Sequence, residues 1–293
     1  MADQRGLSGT PGAPRVAAVG PYEIWMLAQA AVGFCGVGGM MFLIPAYVLE
    51  KGGSPADAGA VMALTGALAL SAPFLGRSAD RFGLHRSLQL ASIVSIAAAG
   101  VSFAFAEQVL LWLVAAALLG LGMAGLAVVN ATFVVGAGFD EHTRARRLSL
   151  LQLSLPAGQV LGLAAMSGLA AAGLTFEGRF LFLAASALVF TVVVDGVNGP
   201  AAERLSRPVP PDAGQADPGD ERGARVGLRA VVLSQFGVVL GLIVLIMASA
   251  QAIESQYPSY MQSAFDVDPT QSAGALSVIV LVSIPLYVVA GRW

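Results

Sequence analysis

The sequence predicts an all-α polytopic membrane protein with eight spanning helices, and three observations carry that prediction. Of its 293 residues, 56% are apolar and only 12% charged, too little charge to cover a soluble domain of this size. The charge is gathered into short islands that separate long uncharged runs. None of those runs alternates apolar and polar residues as a barrel strand does. Hydrocarbon obliges a backbone to satisfy its own hydrogen bonds, so the runs are helices.

In order, the runs are residues 24–49, 58–76, 87–106, 108–139, 148–176, 180–194, 230–253 and 270–291. At 1.5 Å per residue, all but one can cross roughly 30 Å of hydrocarbon. The exception, 180–194, spans only if its helix reaches Val197 with Asp195 turned toward the head groups. Residues 1–20 lack the apolar core of a cleaved signal peptide. The lone cysteine, Cys35, lies within the first helix and reads as a small buried apolar residue.

Alternating the loops from an inside N-terminus places every one of the sixteen basic residues except Lys51 and Arg179 on the inner side. By the positive-inside rule this predicts a multi-pass protein of the cytoplasmic membrane with its N-terminus inside. Aromatic residues agree, with Tyr22, Trp25 and Trp293 at inner ends and Tyr47, Trp112, Tyr257 and Tyr260 at outer ends. One inner loop differs from the rest. Residues 198–229 hold five prolines, five acids and five arginines, the composition of a flexible linker. It divides the chain into a tail (1–20), a six-helix unit (21–197), the linker (198–229) and a two-helix unit (230–293).

The two units share a pattern. Pro45-Ala46-Tyr47 is answered by Pro258-Ser259-Tyr260, and Ala58-Gly59-Ala60 by Ala273-Gly274-Ala275. Gly59 to Gly76 and Gly274 to Gly291 are the same distance in sequence, and each second helix ends in Gly-Arg. Ordered matches at held spacing make helices 7 and 8 a repeat of helices 1 and 2.

The segment GRSADRFGLHR, residues 76–86, packs three arginines, an aspartate and a histidine between two apolar runs. Here the chain resembles the major facilitator superfamily of secondary transporters. That family's loop between helices 2 and 3 runs Gly, three residues, Asp-Arg, one residue, Gly, then basic residues. Gly76, Asp80, Arg81 and Gly83 match in place; Leu84 and His85 stand where a basic pair is usual, and Arg86 follows one position late. Asp140, Arg144, Arg146 and Arg147 resemble the family's second inner-loop cluster. The resemblance covers residues 22–293 and implies two six-helix halves that rock about a central cavity, each half built of inverted three-helix repeats. It also implies that residues 76–86 form a gating loop that clasps the opposite half. An ordinary positive-inside loop is the alternative, although it needs neither Asp80 nor the glycines.

Some family features are missing. Ala116 stands four residues before Gly120, where proton-coupled members often carry arginine, and Gly162 is followed by Leu163 rather than proline. The acids Asp195 and Glu254 lie near helix ends. The residues therefore give no support to proton-coupled drug efflux. Within the helices, Gln159, Gln152, Asn130, Gln29 and Gln235 are candidates for the solute path, because helices 1, 4, 5 and 7 line the family's cavity. Interhelical hydrogen bonding is the alternative for each of them.

No enzyme motif is present, and the two histidines, His85 and His142, sit on separate loops without metal-ligand spacing. The expectation is a transporter without cofactor, metal or nucleic-acid partner, embedded in lipid and moving a small solute with or without a coupling ion. The chain stops at Gly291-Arg292-Trp293, in register with Gly76-Arg77. It is accordingly expected to be a truncated member whose bundle is completed by further C-terminal helices or by another chain. A non-transporting membrane protein or assembly partner that keeps one half is the other reading.

Overall fold

The structure, a computed structural model, describes residues 25–136 and 139–205, together with scattered helical positions between 242 and 285. The linker beyond residue 205, Gln235 and most of the expected helices 7 and 8 lie outside the described residues. Among the described residues, six helices are long and apolar enough to cross a membrane: α1 (Met26–Glu50), α2 (Pro55–Phe82), α3 (His85–Phe105), α4 (Val109–Val135), α5 (Glu141–Ala171) and α6 (Phe176–Gly196). They correspond to the first six apolar runs, so the helical, polytopic architecture holds.

Where helices end differs from where charge begins. α2 stays helical through Arg77, Asp80 and Arg81 and stops only at Gly83, whose φ of 64° is left-handed. There the Leu84 amide reaches back to the Ala79 carbonyl at 3.0 Å, the closing bond of a Schellman turn. α5 begins at Glu141, capped by the Asp140 carboxylate on the Thr143 amide at 3.0 Å, so its arginines ride on the helix. The helix that begins with α6 continues to Leu205, well beyond the apolar run and into the expected linker. Within α2, Pro73 has no N–H to give Ala69, and the chain tightens into Leu70 N–Ala67 O and Ser71 N–Leu68 O bonds.

The helices pack pairwise, and α3 lies along α4. α1 packs on α5 as α4 packs on α2; α1 meets α4, and α3 meets α6. In lipid there is no hydrophobic force to press helices together, so close packing has to supply the cohesion. Glycine makes it possible. A Cβ on Gly33 or Gly38 of α1 would collide with the Leu155 or Gln159 carbonyl, and one on Gly158 or Gly162 of α5 with that of Ala30 or Phe34. The same device seats α4 on α2, where a Cβ on Gly120 would lie 2.6 Å from the Thr65 carbonyl oxygen. Cys35 is buried, as expected.

At the end of the bundle away from the Gly83 turn, one carbonyl does two jobs. Ala106 O accepts from the Tyr47 hydroxyl at 2.7 Å and the Trp112 indole N–H at 3.0 Å. Both rings are fully buried, which corrects their assignment to an interfacial belt. With its polar atom satisfied by a loop carbonyl, an aromatic ring gains more from core packing than from the head groups. Tyr47 meets Phe180 edge-on at 5.1 Å, and Lys51 pairs with Glu177, tying α1 to α6. The outward faces are apolar, with Leu70, Phe74 and Val192 about three-quarters exposed, as a lipid-facing surface requires.

Gly162→Val should lower thermal stability in detergent by about 1–3 kcal/mol through overpacking. Gly168 has nothing within 4 Å of an added Cβ, and Gly168→Ala should be neutral or stabilising by up to about 1 kcal/mol. Equal effects of the two changes on the melting temperature would refute the packing account.

Candidate functional site

Two polar regions stand out: the corner where α2, α3 and α6 meet, and a chain of buried carboxamides between the helices.

The corner is built from residues 76–86. Gly76 is buried, and a Cβ there would lie 2.6 Å from Val128 Cγ1 on α4, so this glycine brings α2 close to α4. Across the Gly83 turn, Asp80 Oδ1 meets His85 Nε2 at 2.9 Å. The His85 ring is buried beside Phe133, whereas the Asp80 side chain is 67% exposed. Arg86 places Nε at 2.9 Å and Nη2 at 2.7 Å from a single oxygen of Asp195, joining the start of α3 to the C-terminal part of α6. Arg81 is exposed, with its guanidinium 5.3 Å from the Phe82 ring centre. Gly76, Asp80, Arg81, Gly83 and Arg86 therefore lie together, as the sequence implied, though on helix ends around one sharp turn rather than along an open loop.

Two participants were not foreseen. His85 stood in the sequence as a lapse from the basic pattern, yet it is the partner of Asp80. Asp195, expected to face head groups, is the partner of Arg86. Their separation of 109 residues explains why no local signal disclosed it.

The second cluster occupies the first turns of α5. Arg144 Nη2 donates to the Phe139 carbonyl at 3.1 Å, and the Arg147 guanidinium lies 3.6 Å from the Phe139 ring centre. Arg146 is exposed. Hydrogen bonding from Thr143 holds the Asp140 carboxyl below its ordinary range.

Among the path candidates, Asn130 and Gln29 come together. Gln89 Nε2 donates to Asn130 Oδ1, and Asn130 Nδ2 donates to Gln29 Oε1, both at 2.9 Å. All three are buried, with Asn130 fully so, and the chain links α3, α4 and α1. Gln89 had no distinguishing mark in the sequence; three residues after Arg86, it reads as an ordinary polar residue near a helix end. Gln159 is half-buried and Gln152 exposed on α5. Among the described residues, acidic and basic side chains sit within about two turns of the span ends, leaving carboxamides and hydroxyls as the polar groups at depth.

Among the described residues the chain is a polytopic helical bundle, apolar outside, whose polar groups at depth are carboxamides and hydroxyls. The family model of the Major Facilitator Superfamily matches residues 25–293, and the chain belongs to that family. No curated protein matches it.

Asn130→Leu removes two buried interhelical bonds and should cost about 1–2 kcal/mol, near the sum of two average membrane hydrogen bonds. A double-mutant cycle with Gln29→Leu should show coupling in thermal unfolding, and strict additivity would dissolve the chain. The lowered carboxyl of Asp140 predicts a pH effect of defined sign. Its contribution is complete above the unfolded-state value of about 3.9 and is lost as pH falls through the lower folded value. The stability gap between the wild type and Asp140→Ala should therefore close on acidification.

Proposed function

We propose that this chain moves a small solute across the cytoplasmic membrane by alternating access, with its N-terminus inside and the six-helix unit of residues 21–197 acting as one rocking body. The observation that carries this reading is the build of the inner corner. Arg86 on Asp195 and His85 on Asp80 brace the turn within its own unit, while the exposed carboxylate face of Asp80 and the exposed Arg77 and Arg81 remain available to a second body. A segment that only anchored the chain at a surface would need arginines and nothing more. A braced corner with exposed charge suits a clasp that closes and opens.

In this reading Gln159 contacts the solute, with Gln152 and Gln235 as further wall residues, while Asn130 and Gln29, buried and bonded to each other, stiffen the wall from behind. The buried chain from Gln89 holds Asn130 and Gln29 in fixed orientations. Carboxamides in place of charged groups favour recognition of the solute by hydrogen bonds along this wall. Asp140 and the arginines at 144, 146 and 147 fix the inner end of α5.

Site-directed labelling tests the proposal without a known solute. In a Cys35→Ala background, Gln159→Cys should react with a membrane-impermeant maleimide in both right-side-out and inverted vesicles. Adding Asp80→Asn should weaken the inner clasp and raise the inside-to-outside ratio about threefold or more, a shift of under 1 kcal/mol in the conformational equilibrium. Labelling from one side only, or a ratio indifferent to Asp80→Asn, would sink it.

A further inference from the structure

The middle of α1 is not an α-helix. Residues Val32–Met41, VGFCGVGGMM, form a ten-residue π-helix flanked by α-helical Trp25–Ala31 and Phe42–Glu50. The glycine contacts with α5 explain why. Gly33 seats on the Leu155 carbonyl and Gly38 on that of Gln159. Leu155 and Gln159 are four apart on an α-helix and share a face, but Gly33 and Gly38 are five apart. In an α-helix, residues five apart point about 140° away from each other. An i→i+5 ladder turns less per residue and brings them much closer to one face. In the π register both glycines face α5.

The α register would fail on the same contact. Val37, four residues after Gly33, would replace Gly38 against the Gln159 backbone, where even a lone Cβ collides. The helix is also pinned on either side of the segment. Gln29 is held by Asn130 on the inner side, and Tyr47 by the Ala106 carbonyl on the outer side. Between these anchors Gly36 backs onto Met123 and Gly39 onto Leu183, so neighbouring helices hold the register there as well.

We propose that α1 carries a surplus residue relative to an α-helix and that Gly33 and Gly38 hold it in π register on α5, which fixes the face that α1 turns to its neighbours. The consequence for transport rests on the function proposed above: the π segment lies against Gln159 and so sets the wall of the solute path at that depth. The register itself is independent of any solute, and so is its test.

Deleting one residue from a transmembrane helix ordinarily turns everything beyond it by about 100° and ruins its packing. Deletion of Val37 should be the exception, because it sets Gly33 and Gly38 four apart and turns the π segment toward regular α-helix. The deletion variant should purify as a monodisperse protein with a melting temperature near that of the wild type, whereas deletion of Ala46 in the α-helical outer part should not. In lipid nanodiscs, hydrogen–deuterium exchange of residues 32–41 should slow about tenfold in the Val37 deletion, since a regular ladder opens less readily. Gly38→Val should lose most of its monodisperse yield. The proposal is overturned if the Val37 deletion fails to fold, if its exchange is unchanged, or if Gly38→Val is harmless. None of these results bears on whether Gln159 is reached from both sides of the membrane, so the two proposals fail separately.

Discussion

The close approach of α1 and α5 is the contact on which the rest of the structure depends. Four glycines, Gly33 and Gly38 on one helix and Gly158 and Gly162 on the other, let each backbone lie on the carbonyls of its neighbour. Lipid provides no hydrophobic drive for helix association, so this depth of contact supplies much of the cohesion. It also sets where other groups fall. Gln159 is positioned by the glycine beneath its backbone, and the π register of α1 follows from the same seating. With α1 fixed there, Gln29 meets Asn130 and Tyr47 meets the Ala106 carbonyl. A side chain at any of the four glycines would disturb both ends of the helix.

The corner around the Gly83 turn is organised differently, by charge rather than by close packing. The partially exposed Arg86–Asp195 pair is worth little as a source of stability. Its value is geometric, since two nitrogens on one carboxylate oxygen fix how α3 meets α6. Together with the Gly83 turn and the Asp80–His85 contact, it makes residues 76–86 a rigid corner. In the proposed clasp such rigidity spares the ordering entropy that a floppy loop would lose each time it closed.

Much of this was legible in the sequence. The first six spans, their order and the family came from hydropathy and from the spacing of Gly76, Asp80, Arg81 and Gly83, which are local properties. The helix ends were less legible, because charge was read as a boundary. Asp195 tolerates continued helix since Arg86 neutralises it, and Arg77 and Arg81 sit on α2 because they reach water from its last turns. Tyr47 and Trp112 misled for a related reason: an outer-end aromatic with a partner for its polar atom can turn inward.

By itself the sequence determined that this chain crosses a membrane as helices and belongs to a family of transporters, because both depend on composition and on residues close together in the chain. Only the tertiary structure decided which polar groups meet. Gln89 joins Asn130 and Gln29, Arg86 finds Asp195, and Gly38 rather than Val37 faces α5. Each of these follows from how separate helices pack in three dimensions. A difference of one residue in register, invisible in composition, decides which side chain lies at the interface.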